Sequence, residues 1–596
     1  MAQAQAQAPP GARRRLGFAA TGVLLGAADT YVVVIVLPSI MSSVGIDLSN
    51  LQRATPIISG FLLGYVAVLP LLGRLSDIAG RGPVLGFCLA LFAAGSLVTA
   101  SADSLALVVI GRTLQGAGGG GLVPVTLALV ADLWPARTRG VPLGIVGAVQ
   151  EFGSVVGPLY GAALTTVSSW RAIFYINMPL AAVIAAGVRS GGRRRGVALR
   201  RTDRLGWVFA SICVATTVLT ISAPPALTDS LTIGTAFAPL FAGVEISAPI
   251  AVVAVLSGVL LVMRELRVPP GVRPLLSLSG LTTTLHRVDW PGAVLVALVL
   301  GAVVTAFASA DSRTSAVGGA APFLLPAAAV LTVLFAIHEL RTADPLIDLR
   351  ALRDRAAAGS LLTNLAVGAA LMAALVDIPV FARTTVASDS QVGAALVLAR
   401  LLVAVPVGAV LGGLLVGRLG HRRVAAAGML ISATSFALMA GWTASTLSQG
   451  FAGTLWLHPS DPVLVACGLG FGLSVVPITA AILGVVPPRF HGVAASLTVA
   501  ARLVGMLAGL SVLTAIGLRR FYSVQALLPS AASLCPASPL RCPAYDALEQ
   551  GAIIDELHVI FIGAGVCALV AALLAAALLR RPPDSQPSPL TAVVAA

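Results

Sequence analysis

The chain has 596 residues, of which 57% are apolar and only 10% charged, and its mean hydropathy is +0.96. Soluble domains carry about 25% charged residues, so a water-soluble protein is excluded. The net charge of +14 comes from 38 basic residues, all of them Arg; so few charges in so apolar a chain belong to loops flanking a membrane, not to a nucleic-acid surface.

A helix crossing the ~30 Å hydrocarbon core needs about 20 mostly apolar residues. The first such stretches run near 16–40, 56–73, 84–101, 105–131, 141–165 and 171–188. Arg13, Arg14 and Arg15 precede the first, as in a signal peptide, but Asp29 lies mid-span and no small-residue cleavage site follows. It is therefore expected to be a retained helix. A middle group follows near 205–225, 247–264, 290–310 and 320–338. This region reads as a duplication: TDRLGW at 202–207 and VDWPGA at 288–293 each open a span, while RELRVPPGVRPLL at 264–276 and HELRTADPLIDL at 338–349 each close a hairpin. Six further stretches lie near 356–383, 391–417, 424–443, 461–486, 490–516 and 555–579. The total is 16 spans, or 14 if one hairpin stays at the interface. Placing the Arg-rich loops inside puts both termini in the cytoplasm. The expected organisation is an N-terminal six-helix bundle (1–190), a cytoplasmic Arg-rich linker with central hairpin helices (191–355), a C-terminal six-helix bundle (356–580) and a cytoplasmic tail (581–596).

Four sets of residues carry motifs. Between spans two and three stands Gly73-Arg74-Leu75-Ser76-Asp77-Ile78-Ala79-Gly80-Arg81-Gly82, a G-x-L-x-D-x-x-G-R loop. Its glycines permit a tight turn, and Asp77 with Arg81 can form a charge lock. The corresponding second-half loop, Gly417 to Arg423, lacks the acid. Span four holds Arg112-Thr113-Leu114-Gln115-Gly116, an R-x-x-Q-G pattern. Span five holds Gly153, Gly157, Pro158 and Gly161, small residues four apart that let helices approach closely. Trp170-Arg171, Phe174, Ile176-Asn177 and Pro179 form the last.

These motifs, in this order, resemble the major facilitator superfamily, in its drug:proton antiporter branch with extra central helices. GAADTYVVV in span one, AVQEFGSVVGPLYG in span five, AALVDIPVF, and HGVAASLTVAARLVGMLAG narrow the resemblance. They are similar to an actinobacterial group that includes mycobacterial exporters of triacylglyceride and drugs acting with a periplasmic lipoprotein. The resemblance implies an all-α integral membrane fold of two six-helix halves plus two to four central linker helices. It also implies a proton-coupled secondary active exporter of lipophilic compounds working by alternating access, as in multidrug efflux. The alternatives are export of a neutral lipid from the bacterial inner membrane to a periplasmic lipoprotein, and a non-transporting membrane receptor. The expected partners are a lipophilic small molecule or lipid, protons and membrane lipids.

Six ionisable residues fall inside core spans: Asp29, Arg112, Glu151, Asp377, Arg400 and Arg502. Each would cost at least ~2.5–3.5 kcal/mol alone at a helix centre, so they are expected to face inward and pair. At 1.5 Å per residue Asp29 and Arg502 both lie ~18–20 Å deep, which makes them candidate partners, with Glu151 slightly shallower. Asp377 and Arg400 lie at a common depth on adjacent spans and are the second expected pair. A carboxylate beside Arg can take up a proton once movement separates them, so Asp29, Glu151 and Arg502 are the candidate proton-coupling residues. Gly73, Asp77 and Arg81 are the candidate conformational lock.

In the outer loop 519–554, Cys535 and Cys542 can close a small disulfide ring on the oxidising side. The six His residues are scattered, and the chain has no G-x-x-x-x-G-K-[ST] phosphate loop. No metal, no cofactor beyond a proton gradient and no enzymatic activity are therefore expected.

Overall fold

The computed structural model describes residues 11–46, 51–135, 138–190, 201–222, 227, 230, 234–238, 240, 248–267, 272–273, 288–308, 318–342, 344–386, 391–448, 458–536 and 542–579. The arginine run at 191–200, most of the 226–246 loop, most of 268–287 and the 581–596 tail lie outside these residues. Nearly all of what is described is helix, as lipid demands, because a membrane-spanning segment must satisfy its backbone polar groups internally. The helices of the first half are α1 (Ala12–Ser43), α2 (Leu51–Ala79), α3 (Arg81–Ala100), α4 (Leu105–Leu133), α5 (Gly140–Val167) and α6 (Arg171–Ser190). The central ones are α7 (Arg204–Ser222), α8 (Pro249–Leu266), α9 (Trp290–Ala308) and α10 (Ala321–Arg341). The second half holds α11 (Arg355–Thr385), α12 (Gln391–Met439), α13 (Ser460–Val485), α14 (His491–Gln525) and α15 (Pro543–Leu578). A two-residue parallel bridge joins β1 (Arg201–Thr202) to β2 (Val272–Arg273).

Thirteen of the described helices are long and apolar enough to cross a membrane. One of them covers Gly393–Met439, 47 residues, about twice what one crossing needs. It breaks at Gly420, whose φ of +80° is left-handed. The α2–α3 turn breaks in the same way at Gly80, with φ +92°; only glycine adopts this conformation without strain.

The chain forms two compact units. Unit 1 comprises Met1–Pro135, Val149–Leu349 and Pro487–Ala500; unit 2 comprises Ala136–Ala148, Arg350–Val486 and Ala501–Ala596. The start of α5 thus belongs with unit 2, and the start of α14 with unit 1. In unit 1, α4 is gripped between α2 and α3 by its glycines. A Cβ at Gly116 or Gly120 would fall on the carbonyls of Phe61 or Tyr65, and one at Gly118 on the backbone of Phe92. The glycine run therefore serves packing. The core of unit 2 includes an aromatic cluster of Phe381, Phe436, Trp442, Phe471 and Phe561.

The central duplication has a matching geometry in both copies. In α7/α8, Asp203 is paired with Arg264 at 3.2 Å, and the buried Glu265 lies beside Gly206. In α9/α10, Asp289 is paired with His338 at 2.8 Å, and the buried Glu339 lies beside Gly292. Each glycine makes room where a Cβ would meet both carboxylates. The second hairpin leans on the bundle, with α9 packed against α2.

The non-helical part of the 519–554 segment is shorter than the sequence suggests. Helices α14 and α15 run on to Gln525 and back to Pro543, well beyond the expected 516 and 555. The charges that end the apolar pattern do not end the helices; Arg520 and Asp555 pair across them at 2.9 Å. Cys535 and Cys542 are joined in a disulfide between the two helices.

Candidate functional site

Asp29 is buried at the middle of unit 1, where four helices supply its surroundings. Arg112 Nη1 of α4 donates to Asp29 Oδ2 at 2.6 Å. Gln115 Nε2, one turn further along α4, donates to Asp29 Oδ1 at 2.7 Å, and Asn177 Nδ2 of α6 donates to the same oxygen at 2.8 Å. Arg112 also donates to Gln115 Oε1 at 2.7 Å, and Ser96 Oγ of α3 accepts from Gln115 at 2.9 Å. The guanidinium lies 4.2 Å from the ring centroid of Phe61 and 5.7 Å from that of Phe174, a cation–π setting that suits a desolvated Arg. Arg112 supplies the countercharge an ionised Asp29 requires, and its Nε is buried with no hydrogen bond among the described residues.

The glycines of α5 place α1 against this cluster. A Cβ at Gly153 would stand 2.7 Å from the Ala27 side chain and 2.9 Å from the Leu24 carbonyl. At Gly157 it would fall on the carbonyl of Ala28, and at Gly161 on the side chain of Val32. The three glycines thus bracket Asp29 along α1, and Pro158 sits inside the same stretch of helix. Glu151 lies one step before them; it is buried, and Gln150 Nε2 donates to it at 3.4 Å. The Tyr160 hydroxyl, beside Gly161 on α5, is buried with no hydrogen bond among the described residues and lies within electrostatic reach of Asp29.

The second site is the α2–α3 turn. Arg81 Nη1 pairs with Asp77 Oδ1 at 2.5 Å and Arg81 Nε with Asp132 Oδ2 of α4 at 2.8 Å. Asp77 accepts from the backbone N–H groups of Gly492 at 2.8 Å and Val493 at 3.2 Å. It therefore caps the start of α14, where the first N–H groups lack helical partners and the helix dipole favours an anion. Gly73 makes this possible, because a Cβ there would press on the Gly492 carbonyl. His491 Nδ1 lies 3.4 Å from Asp132 Oδ1, and Arg74 stacks 4.7 Å above the Phe490 ring.

Unit 2 repeats the backbone of this site without its acids. Gly413 and Gly140 meet as Gly73 and Gly492 do, each leaving no room for a Cβ on the other. Gly413 stands seven residues before the left-handed Gly420, as Gly73 does before Gly80. The second-half loop is therefore in register with the first from Gly413, four residues earlier than its Gly-Arg-Leu string suggests. The counterpart of Asp77 becomes Gly417, and that of Asp132 becomes Gly484. In place of an acid at a helix start, Arg139 caps a helix end, donating to the carbonyls of Ala480 at 3.0 Å and Leu483 at 3.2 Å. Burial draws this guanidinium below its ordinary value.

Two expected pairs are replaced. Asp29 takes Arg112, not Arg502, and both its oxygens are engaged within unit 1. Arg502 is buried on α14 in unit 2, its backbone carbonyl against Gly368. Arg400 binds Asp461 at the start of α13, not Asp377. Depth arithmetic gives a residue's height in the membrane but not the side of the helix it occupies, and both errors follow from that. Ser96, Asp132 and Arg139 carry no signal in the sequence, and Asn177 stands out there only within the Trp170–Pro179 motif.

Residues 19–285 match the sequence profile of the Major Facilitator Superfamily. A triacylglyceride transporter of Mycobacteroides abscessus is 37% identical over 510 residues, covering 85% of this chain and 82% of its own. One of Mycolicibacterium smegmatis is 35% identical over 560 residues (93% and 85%), and one of Mycobacterium tuberculosis 35% over 529 (87% and 86%). A crystal structure of a human organic anion transporter superposes with TM-score 0.53 at 16% identity, covering 95% of this chain and all of that one; it shares the fold.

Proposed function

This chain belongs to the major facilitator superfamily and is a multi-pass membrane transporter, and we propose that it exports neutral lipid of the triacylglyceride class, driven by protons. The names of relatives 35–37% identical over most of the chain favour lipid over the wider multidrug cargo. The observation that carries the proton-driven part is the Asp29–Arg112 pair, buried and hydrogen-bonded by Gln115 of α4 and Asn177 of α6. In this reading a proton arriving at Asp29 displaces Arg112 as its partner. Loss of that pair loosens α1 against α5 across the Gly153–Gly161 contacts. Glu151 is a second proton acceptor. Withdrawal of Asp77 from Gly492 and Val493 frees the start of α14, so that the halves alternate between openings. The chain would sit in a bacterial inner membrane with both termini inside and pass lipid to a periplasmic lipoprotein. No cofactor is needed beyond the proton gradient.

The test is transport in proteoliposomes loaded with a fluorescent triacylglyceride analogue. Export that grows with an imposed pH gradient, collapses with a protonophore and falls at least tenfold in Asp29→Asn supports the reading. Movement of a cationic dye but not of the lipid analogue would transfer it to multidrug efflux.

A further inference from the structure

Unit 2 holds a buried acid that the mechanism above does not use. Asp377 of α11 is 6% exposed, and among the described residues no hydrogen bond or ion pair engages its carboxylate. Its neighbours along α11, Ala373, Ala374, Ile378 and Phe381, are buried too. Phe381, one turn away, packs on Trp442 and Phe561 with centroids 5.4 and 6.3 Å apart. Among the described residues another acid, Glu556 of α15, lies within electrostatic reach of Asp377; it is half-buried with its stem against Gly517 of α14.

Three basic side chains of the neighbouring helices are engaged elsewhere. Arg400 of α12 binds Asp461 of α13; Arg520 of α14 binds Asp555 of α15; His558 of α15 lies 2.6 Å from the Trp442 carbonyl. Arg502 of α14 lies level with Gly368, nine residues and so about 13 Å along α11 from Asp377. Arg383, further along α11, is exposed.

A bare carboxylate in such surroundings is costly, and a second carboxylate beside it adds repulsion. One proton removes both penalties. We propose that Asp377 is a proton-binding site of unit 2, held as a carboxylic acid beside Glu556. The contrast with unit 1 is chemical: Asp29 has a guanidinium and two amides to stabilise its charge, whereas Asp377 has none of these. The inference adds a third proton carrier, the first in unit 2, to the exporter reading and rests on that reading only for what the proton is used for.

The test reads the proton directly, by pH-dependent infrared difference spectra of the full-length protein in lipid bilayers. The wild type should show the carbonyl stretch of a protonated carboxylic acid that disappears on raising the pH. Asp377→Asn should lose that band, Asp29→Asn should keep it, and Glu556→Gln should move its disappearance to lower pH by about one unit. The Glu556→Gln variant leaves Asp377 intact and decides the matter should Asp377→Asn fail to fold. A band that survives Asp377→Asn, that vanishes in Asp29→Asn, or that titrates unchanged in Glu556→Gln would overturn the proposal. Loss of gradient-driven export with the band intact would count against the exporter reading alone.

Discussion

Arg112 and Asp29 lie 83 positions apart in the chain and meet at 2.6 Å, both side chains 1% exposed. Removing one partner of such a pair leaves an unbalanced charge in a dry site, at a cost of about 3–5 kcal/mol. Arg112→Ala should therefore lower the thermal unfolding temperature of the purified protein markedly. The double variant Asp29→Asn with Arg112→Gln should recover much of the loss, because neither half-charge then remains. Additive losses in the double variant would mean that the two residues are not coupled.

The Gly73–Gly492 crossing gives a sharper contrast. Gly73→Ala would push its methyl into the Gly492 carbonyl, whereas a Cβ at Gly82 meets nothing within 4 Å. Gly73→Ala should cut export at least tenfold, and Gly82→Ala should leave it within twofold. Equal effects in the lipid-export assay would refute this contact as the reason for the motif's first glycine.

These contacts show what the sequence could and could not convey. Apolar runs, Arg placement and the Gly-x-Leu-x-Asp string were enough to order the helices, because membrane length and loop charge act locally on the chain. Which helix faces Asp29 depends on rotation about each helix axis, a property of packing. Arg112 and Arg502 were both reachable by depth; only the glycine contacts that seat α1 beside α5 and α4 between α2 and α3 select Arg112. The second-half loop was misregistered because Gly417-Arg418-Leu419 matches the motif's letters, while the backbone follows Gly413 and Gly420. Asp132 carried no signal, being one acid near a helix end until Arg81 and His491 are brought to it.

Asp77→Ala should weaken the cap on α14 by about 1 kcal/mol, with export reduced. The reciprocal change is Gly417→Asp, which puts an acid at the matching place in unit 2. It should raise the unfolding temperature by an amount equivalent to about 1 kcal/mol and slow the transport cycle. A Gly417→Asp protein that is less stable than the parent would argue against the four-residue register.

Gly157→Ala should impair transport more than Gly17→Ala, since a Cβ at Gly17 meets nothing within 4 Å. The same proteins, compared by thermal unfolding, should differ in the same order. A harmless Gly157→Ala would show that α1 is free to shift away from α5.

The Cys535–Cys542 bridge closes a short loop, with a sequence separation of 7. The chain-entropy estimate for such a ring is about 2.5 kcal/mol. Maleimide should label these two cysteines only after reduction, while Cys88 and Cys467, both buried, stay unlabelled until the protein unfolds. Labelling before reduction would show free thiols.

The two central hairpins begin at equivalent points, Asp203 and Asp289, and each is fastened by its own acid–base pair and its own buried glutamate. Joining Thr202 directly to Asp289 would therefore splice the repeat in phase and keep the orientation of everything downstream. Such a cassette can be gained or lost by unequal recombination in a single event. Lineages carrying one copy or two could then descend from one another without passing through a broken transporter.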